Sequence, residues 1–130
     1  MEFNEEPFEP LQLGVPPEYY DGVLKEYEYD RESIWPRLSG EVEVDGKYRF
    51  TKFSVRDDIV VGIEICEIGR EDTFCGVPMR ERPKKFQKLL AAAGLDSRIE
   101  YSGINLVEYP VGFFIEGGRI ASINWERDIR

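Results

Sequence analysis

With 130 residues the chain has the length of a single domain, and a hydrophobic content of 42% is sufficient for a substantial core. Its 26 acidic and 17 basic residues give a net charge of −9, which disfavours nucleic acids and anionic membranes as partners and favours a basic protein. No early segment has the pattern of a signal peptide and no apolar run reaches about 18 residues, so we expect a cytoplasmic protein without a membrane span.

Residues 1–17 are predicted to form an acidic, proline-rich arm, followed by a single domain over residues 18–130. Proline fixes φ and removes a backbone donor, which favours an extended segment here. The N-terminal quarter also carries nearly all of the excess charge. Residues 1–32 contain ten acidic and two basic residues, a net charge of −8, whereas the rest of the chain has a net charge of −1. This asymmetry points to the first quarter of the chain as the region that attracts a basic partner.

The segment from Lys25 to Trp35 combines four acidic residues with two tyrosines and a tryptophan. From Gly22 onward, the odd-numbered positions 23–29 alternate with Leu24, Glu26 and Glu28, and this period of two predicts a strand. One hypothesis is a docking surface, in which carboxylates steer association and aromatic rings supply contact area. The other is a solvated edge strand, in which the tyrosine rings pack on the core while the acids remain in water. The docking hypothesis assigns partner binding to seven residues: Glu26, Tyr27, Glu28, Tyr29, Asp30, Glu32 and Trp35.

The middle of the chain predicts an antiparallel meander. Asp45-Gly46 separates two strand-like runs, Gly40–Val44 and Lys47–Val55, and Asp-Gly suits the positive φ values of a type I′ hairpin turn. Ile59–Glu67 alternates regularly and predicts the next strand. Within the run after the turn the apolar residues change parity, which a bulge near Thr51-Lys52 or a sheet buried on both faces would explain.

One amphipathic helix is predicted from Pro83 to Ala93, because apolar residues follow helical spacing between a first-turn proline and a terminating Gly94. Three lysines on its other face are interpreted as a solvated surface and not as a nucleic-acid site: Lys84, Lys85 and Lys88. Three further strands follow, at Ile104–Tyr109, Val111–Ile115 and Arg119–Glu126. The elements together predict an α+β domain with an antiparallel sheet of six to seven strands and the helix of residues 83–93 packed on it.

A weak repeat relates two of the predicted hairpins. Four apolar positions in one hairpin recur in the other at a constant offset in residue number, namely Phe53, Val55, Val60 and Ile63 against Phe113, Ile115, Ile120 and Ile123. A Gly-Val-Pro sequence also recurs, at residues 14–16 and 76–78. Both an internal duplication and two unrelated hairpins account for these patterns.

The commonest general base of enzymes is missing. The chain has no histidine, which excludes Ser-His and Cys-His nucleophiles and the commonest zinc ligand. Cys66 and Cys75 cannot form a zinc site alone and are expected to be reduced. Asp57-Asp58 is a candidate carboxylate pair, but 26 acidic residues produce such pairs by chance and aspartate is common in turns. We therefore predict that the protein is not an enzyme and uses no cofactor or metal.

These features favour a non-catalytic protein-binding domain, namely an inhibitor or immunity-type protein that sequesters a partner with a basic functional surface, such as a toxin or nuclease. In size, acidity and lack of catalytic groups the chain resembles, as a class, bacterial toxin-immunity proteins and phage-encoded inhibitors. The alternative is a small-molecule-binding or accessory domain in which Phe113, Phe114 and Trp125 line an apolar pocket. Exposure of Trp35 and the tyrosines would favour the first, and exposure of Trp125 in a pocket would favour the second.

Overall fold

In a computed structural model that describes residues 1–127, most of the chain forms one large antiparallel sheet. Its eight strands are β2 (Lys25–Asp30), β3 (Arg37–Val44), β4 (Lys47–Arg56), β5 (Ile59–Ile65), β8 (Ser97–Glu100), β9 (Gly103–Leu106), β10 (Val111–Glu116) and β11 (Arg119–Glu126). They lie in the order β2-β3-β4-β5-β11-β10-β9-β8. The α+β class is confirmed, but the predicted six to seven strands are too few.

Three very short strands form a second sheet, in the order β1-β6-β7: β1 (Glu2–Phe3), β6 (Thr73–Phe74) and β7 (Val77–Pro78). A 3-10 helix spans Pro17–Tyr20, and helix α1 spans Pro83–Ala92. The bounds of α1 agree with the predicted helix except at its last position, and Gly94 follows it with a φ of +84°. None of the helices within residues 1–127 is long and apolar enough to cross a membrane.

The core lies on one face of the large sheet, which we call the inner face. Helix α1 packs there through Phe86 and Leu90, both fully buried. The N-terminal segment covers another part of the same face, because Phe3 and Leu11 are buried in the same core. The indole N–H of Trp125 donates to the backbone oxygen of Asn4 at 2.9 Å, which ties the final strand to this segment. On the opposite, outer face, Phe50, Lys52 and Phe114 are exposed, and no layer formed by residues 1–127 covers them.

Within the large sheet, the sequence failed to predict β8, which lies at one edge. Among residues 1–127 its only partner strand is β9, and three of its four residues are exposed. Ile99 is its one large apolar residue, and it is half exposed. A short edge strand with so little burial shows no alternation of apolar and polar residues, which is the signal on which strand prediction depends.

The change of parity in β4 has a different cause from the predicted bulge. The strand alternates regularly, with Arg49, Thr51 and Phe53 directed to the core and Phe50 directed outward. The register shifts only later, after Ser54. The inner position that breaks the apolar pattern is occupied by Arg49, so the prediction of a bulge near residues 51 and 52 was wrong.

Two four-stranded meanders, β2–β5 and β8–β11, make up the large sheet and meet at their last strands. Their final hairpins have the same register at the offset seen in the sequence repeat, because Phe53 pairs with Ile63 as Phe113 pairs with Ile123. Each hairpin has a bulge at the equivalent place, immediately after Ser54 in the first hairpin and after Phe114 in the second. The two hairpins are therefore equivalent in detail and not only in type.

The helical segments before the two meanders also correspond, although their offset in residue number is slightly larger. Tyr20 of the 3-10 helix packs with its ring centroid 4.5 Å from that of Phe53, and Phe86 of α1 packs 4.9 Å from Phe113. The same offsets relate two backbone hydrogen bonds, from the N–H of Val60 to the oxygen of Val15 and from the N–H of Ile120 to the oxygen of Glu81. The Gly-Val-Pro repeat is not part of this relation, since its two copies lie at a different offset.

A pseudo-two-fold axis passes through the centre of the sheet. Glu64 and Asn124 occupy equivalent positions in the two meanders and pair directly across β5 and β11. Ile65 pairs with Ile123, which is itself the counterpart of Ile63. Equivalent residues thus exchange partners across the axis, as they would in a symmetric dimer. This symmetry favours an internal duplication over two unrelated hairpins.

Candidate functional site

The outer face of the sheet carries a groove of about 810 Å³, formed mainly over β3, β4, β5 and β11. Three aromatic side chains line it and remain exposed, namely Trp35, Phe50 and Phe114. An exposed set of aromatic rings on an uncovered sheet face is a feature of binding surfaces. We call this region the outer groove.

Strand β2 contributes acidic residues to one side of the outer groove. Alternation along the strand directs Glu28 and Asp30 outward, where they line the groove. Tyr27 and Tyr29 point the other way, are half-buried and pack against the core. The two tyrosines therefore anchor the edge strand, while two of its acids face the groove.

A bulge separates the first residues of β2 from the rest of the strand. Lys25 pairs with Glu41 and Glu28 pairs with Ser39, so one extra residue lies between these pairs. Glu26 adopts a positive φ of 56° within the bulge. Bulges and charges on an edge strand oppose the addition of a further strand, so we do not expect a partner to extend the sheet here.

The loop of residues 31–36 presents Trp35 to solvent, with 76% of its surface exposed. Hydrogen bonds between side chains and nearby backbone groups shape this loop. The N–H of Glu32 donates to Asp30 Oδ1 at 3.2 Å, and the N–H of Trp35 donates to Ser33 Oγ at 3.3 Å. Such contacts favour a turn over a continuing strand, so they hold the indole away from the core.

A row of polar side chains crosses the floor of the outer groove. In register, Glu28, Ser39, Lys52, Glu64 and Asn124 are neighbours on successive strands. The hydroxyl of Ser122 donates to Glu64 at 2.8 Å and fixes that carboxylate. Four acidic and two basic residues line the groove, which gives it a net charge of −2. The groove is therefore negatively charged, as is the whole chain. These residues are Glu28, Asp30, Glu64 and Glu126, with Arg37 and Lys52.

Of the seven residues assigned to partner binding from the sequence, three line the outer groove: Glu28, Asp30 and Trp35. Glu26 and Glu32 are exposed but do not line it. Burial, followed by the nearby carboxylates of Asp21 and Glu18, raises the pKa of Tyr27. Phe50 and Phe114 also line the groove, but the docking hypothesis did not include them, and Phe114 was assigned only to the alternative apolar pocket. The available signal was that each ring has the opposite parity to a core phenylalanine of the same strand, Phe53 or Phe113.

The three aromatic residues of the pocket alternative do not share a cavity. Phe113 and Trp125 are fully buried in the core, where the ring of Phe113 packs between those of Phe74 and Phe86. Phe114 lies on the opposite face of the sheet and is 43% exposed in the outer groove. No apolar pocket is formed by this set.

A buried ion pair lies beneath the inner face. The guanidinium of Arg49 donates to both carboxylate oxygens of Asp72, and the distance from Nη2 to Oδ1 is 3.1 Å. The N–H of Gly69 also donates to Asp72 Oδ2, at 2.6 Å. Burial alone would raise the pKa of Asp72, but the hydrogen bonds from Arg49 and Gly69 hold it below its ordinary value. The pair joins β4 to the segment before β6 and stabilises the fold; it offers no group for chemistry.

The two thiols are free and protonated. Burial, with a nearby glutamate in each case, raises the pKa of both Cys66 and Cys75 to about 11. Thiolate is the reactive form of cysteine, so neither residue has the properties of a nucleophile. Within residues 1–127 no three His, Cys, Asp or Glu side chains are grouped so that they could hold a metal ion.

The candidate site is an acidic groove on the outer face of the sheet, lined by three exposed aromatic rings. No protein family, curated protein or solved structure was found to match the chain.

Proposed function

We propose that the protein is a non-catalytic binding domain that captures a partner with a basic functional surface in the outer groove, and that it inhibits or sequesters this partner. The observation that carries the proposal is Trp35, which is 76% exposed and lines the same groove as the carboxylates of Glu28 and Asp30. Tryptophan is enriched among the residues that dominate binding energy.

The groove fits lysine and arginine side chains of a partner. A cation placed over the face of the Trp35 ring is attracted by the ring, and carboxylates that line the same groove can accept hydrogen bonds from lysine or arginine side chains of the partner. Glu64 on the groove floor is held in place by Ser122, which reduces the ordering needed on binding. The partner class is a basic protein such as a toxin or a nuclease, whose functional surface would be covered.

The charge of the chain has a separate effect on the rate of association. A net charge of −9 attracts a basic partner over a distance that salt limits to about 8 Å at physiological ionic strength. Four acids in and just after β2 are expected to contribute to this attraction, whereas Trp35 acts after contact. These acids are Glu26, Glu28, Asp30 and Glu32. The first effect depends on salt and the second does not.

The test uses proteins captured from the native host at low salt, identified, and then produced in recombinant form. Association and dissociation rates are measured at two ionic strengths for the wild type and for a variant in which four acids become amides: Glu26, Glu28, Asp30 and Glu32. We expect slower association and a weaker salt dependence, with an unchanged fold.

A matched control changes the net charge by the same amount at other exposed positions. Four acids that do not line the groove serve for this purpose: Asp57, Asp58, Glu71 and Glu108. Equal effects of the two quadruple variants would mean that only overall charge matters, and the groove would lose its assigned role. A recombinant partner whose activity is unaffected by the wild-type chain would refute inhibition.

A further inference from the structure

A second cavity, of about 540 Å³, lies where the ends of β4 and β5 approach the β10–β11 hairpin. It shares no lining residue with the outer groove. Four cationic side chains line it against two carboxylates, the reverse of the charge balance of the chain: Lys47, Arg49, Arg80 and Arg119, with Glu67 and Glu116. We propose that this cavity binds a small, multiply charged anion that carries phosphate groups.

Two of the guanidinium groups already donate hydrogen bonds within the protein before any ligand arrives. Arg49 is almost fully buried and is held by Asp72 and by the backbone oxygen of Glu67. Arg80 donates to the backbone oxygen of Ile68 at 3.3 Å. A guanidinium that is already positioned loses little side-chain freedom when its remaining N–H groups bind an oxyanion.

The other two cations are free to turn toward a ligand. Among residues 1–127, neither Lys47 nor Arg119 forms an ion pair, and both are exposed. Arg119 begins β11, directly opposite Glu116 in the register of the hairpin. The intervening Gly117 and Gly118 have φ values of +61° and +75°, so the turn is formed by glycines and does not depend on its charged neighbours.

The balance of charges selects the class of ligand. Because Asp72 neutralises Arg49, three cations remain against the two carboxylates of the cavity. A singly charged ion would gain little from such a site. An oxyanion with several charges and many acceptor oxygens can be shared among Arg80, Arg119 and Lys47, and guanidinium groups match phosphate oxygens in pairs. A volume of about 540 Å³ is within the usual range of small-ligand sites.

The experiment is a calorimetric titration of the full chain with sodium pyrophosphate at low ionic strength, in a buffer without phosphate. We expect saturable binding at one site. Arg119→Gln should weaken it by about fivefold, the effect of one exposed charge, and Glu116→Gln should strengthen it by a similar factor. These two positions face each other in one hairpin, so opposite effects cannot arise from a shared change in folding.

Lys84→Gln is the matched control, because it removes the same charge from an exposed helix position that does not line the cavity. We expect it to leave pyrophosphate binding unchanged while circular dichroism shows each variant folded. Equal losses for Arg119→Gln and Lys84→Gln, or no saturable binding by the wild type, would overturn the proposal. Citrate binding as tightly as pyrophosphate would overturn the assignment to phosphate.

Discussion

The two halves of the large sheet agree on the inner face and differ on the outer face. Several equivalent inner positions are apolar in both halves, such as Phe53 and Phe113 or Val60 and Ile120. Some outer counterparts differ strongly, since Lys52 corresponds to Gly112 and Ser54 to Phe114. Close packing restricts which side chains an inner position accepts, whereas a solvent-facing position is free to change. The chemistry of the outer groove therefore belongs to this chain and not to its repeated architecture.

The largest effect is expected where the two halves agree. Phe113 is fully buried against Phe74 and Phe86, so Phe113→Ala should lower the free energy of unfolding by about 3–5 kcal/mol. Phe53→Ala should cost a comparable amount, because its ring packs against Tyr20 at the equivalent place. Urea denaturation measures both. A cost below about 1 kcal/mol at either position would show that the two halves do not share one packing scheme.

The next effect concerns an inner position for which the second half has no buried equivalent. Arg49 in β4 corresponds in number to Tyr109, which precedes β10 and is 38% exposed. Arg49 is accommodated in the core because Asp72 and the backbone oxygen of Glu67 accept its hydrogen bonds. Asp72→Asn removes the compensating charge and should cost about 3 kcal/mol at pH 7. Denaturation of the two proteins in parallel gives the difference.

The dependence of this cost on pH follows from the lowered pKa of Asp72. A carboxyl group whose pKa is lower in the folded protein contributes stability above its ordinary pKa of 3.8, and this contribution is lost as the pH falls through the folded value. The difference between wild type and Asp72→Asn should therefore be largest near neutral pH and shrink under acid conditions. A difference that stays constant down to acid pH would contradict the ion-pair account.

A smaller effect, on binding and not on stability, is expected from the aromatic loops. Trp35 lies in the loop between β2 and β3, and the fully exposed Tyr101 lies in the equivalent loop between β8 and β9. If only the first half binds the partner, Trp35→Ala should raise the dissociation rate roughly 30-fold, which corresponds to a loss of about 2 kcal/mol in binding free energy. Tyr101→Ala is the matched control and should leave the rate unchanged. Similar losses for both would mean that binding uses both halves.

Local signals in the sequence were sufficient for the elements that depend on local chemistry. The Asp45-Gly46 turn has the positive φ values predicted for it, and helix α1 begins at Pro83 as predicted. The inward orientation of Arg49 depends on Asp72, a contact that no local pattern contains. The outer groove likewise required the pairing of β5 with β11, which brings Glu64 beside Asn124. Long-range contacts therefore account for these two features, which no local pattern reveals.

The smallest effect on stability is expected at outer positions that have diverged. Phe114 corresponds to Ser54, and Phe114→Ser places the residue of the first half into the second. Its ring is 43% exposed and lies over Gly103 of the neighbouring strand, so some packing between the two is lost. We expect a cost below about 1 kcal/mol, because the position faces solvent and no buried polar group is created.

The same substitution sharpens the comparison between the faces. Phe113→Ala alters the adjacent residue in the same strand, with its side chain on the inner face. In thermal denaturation, the melting temperature of Phe114→Ser should lie near that of the wild type, and that of Phe113→Ala should lie far below it. If Phe114 also contacts the partner, its replacement by serine should speed dissociation while the fold remains intact. A large loss of stability at Phe114 would mean that the outer face is under the same packing constraint as the core, and the divergence of the two halves there would need another cause.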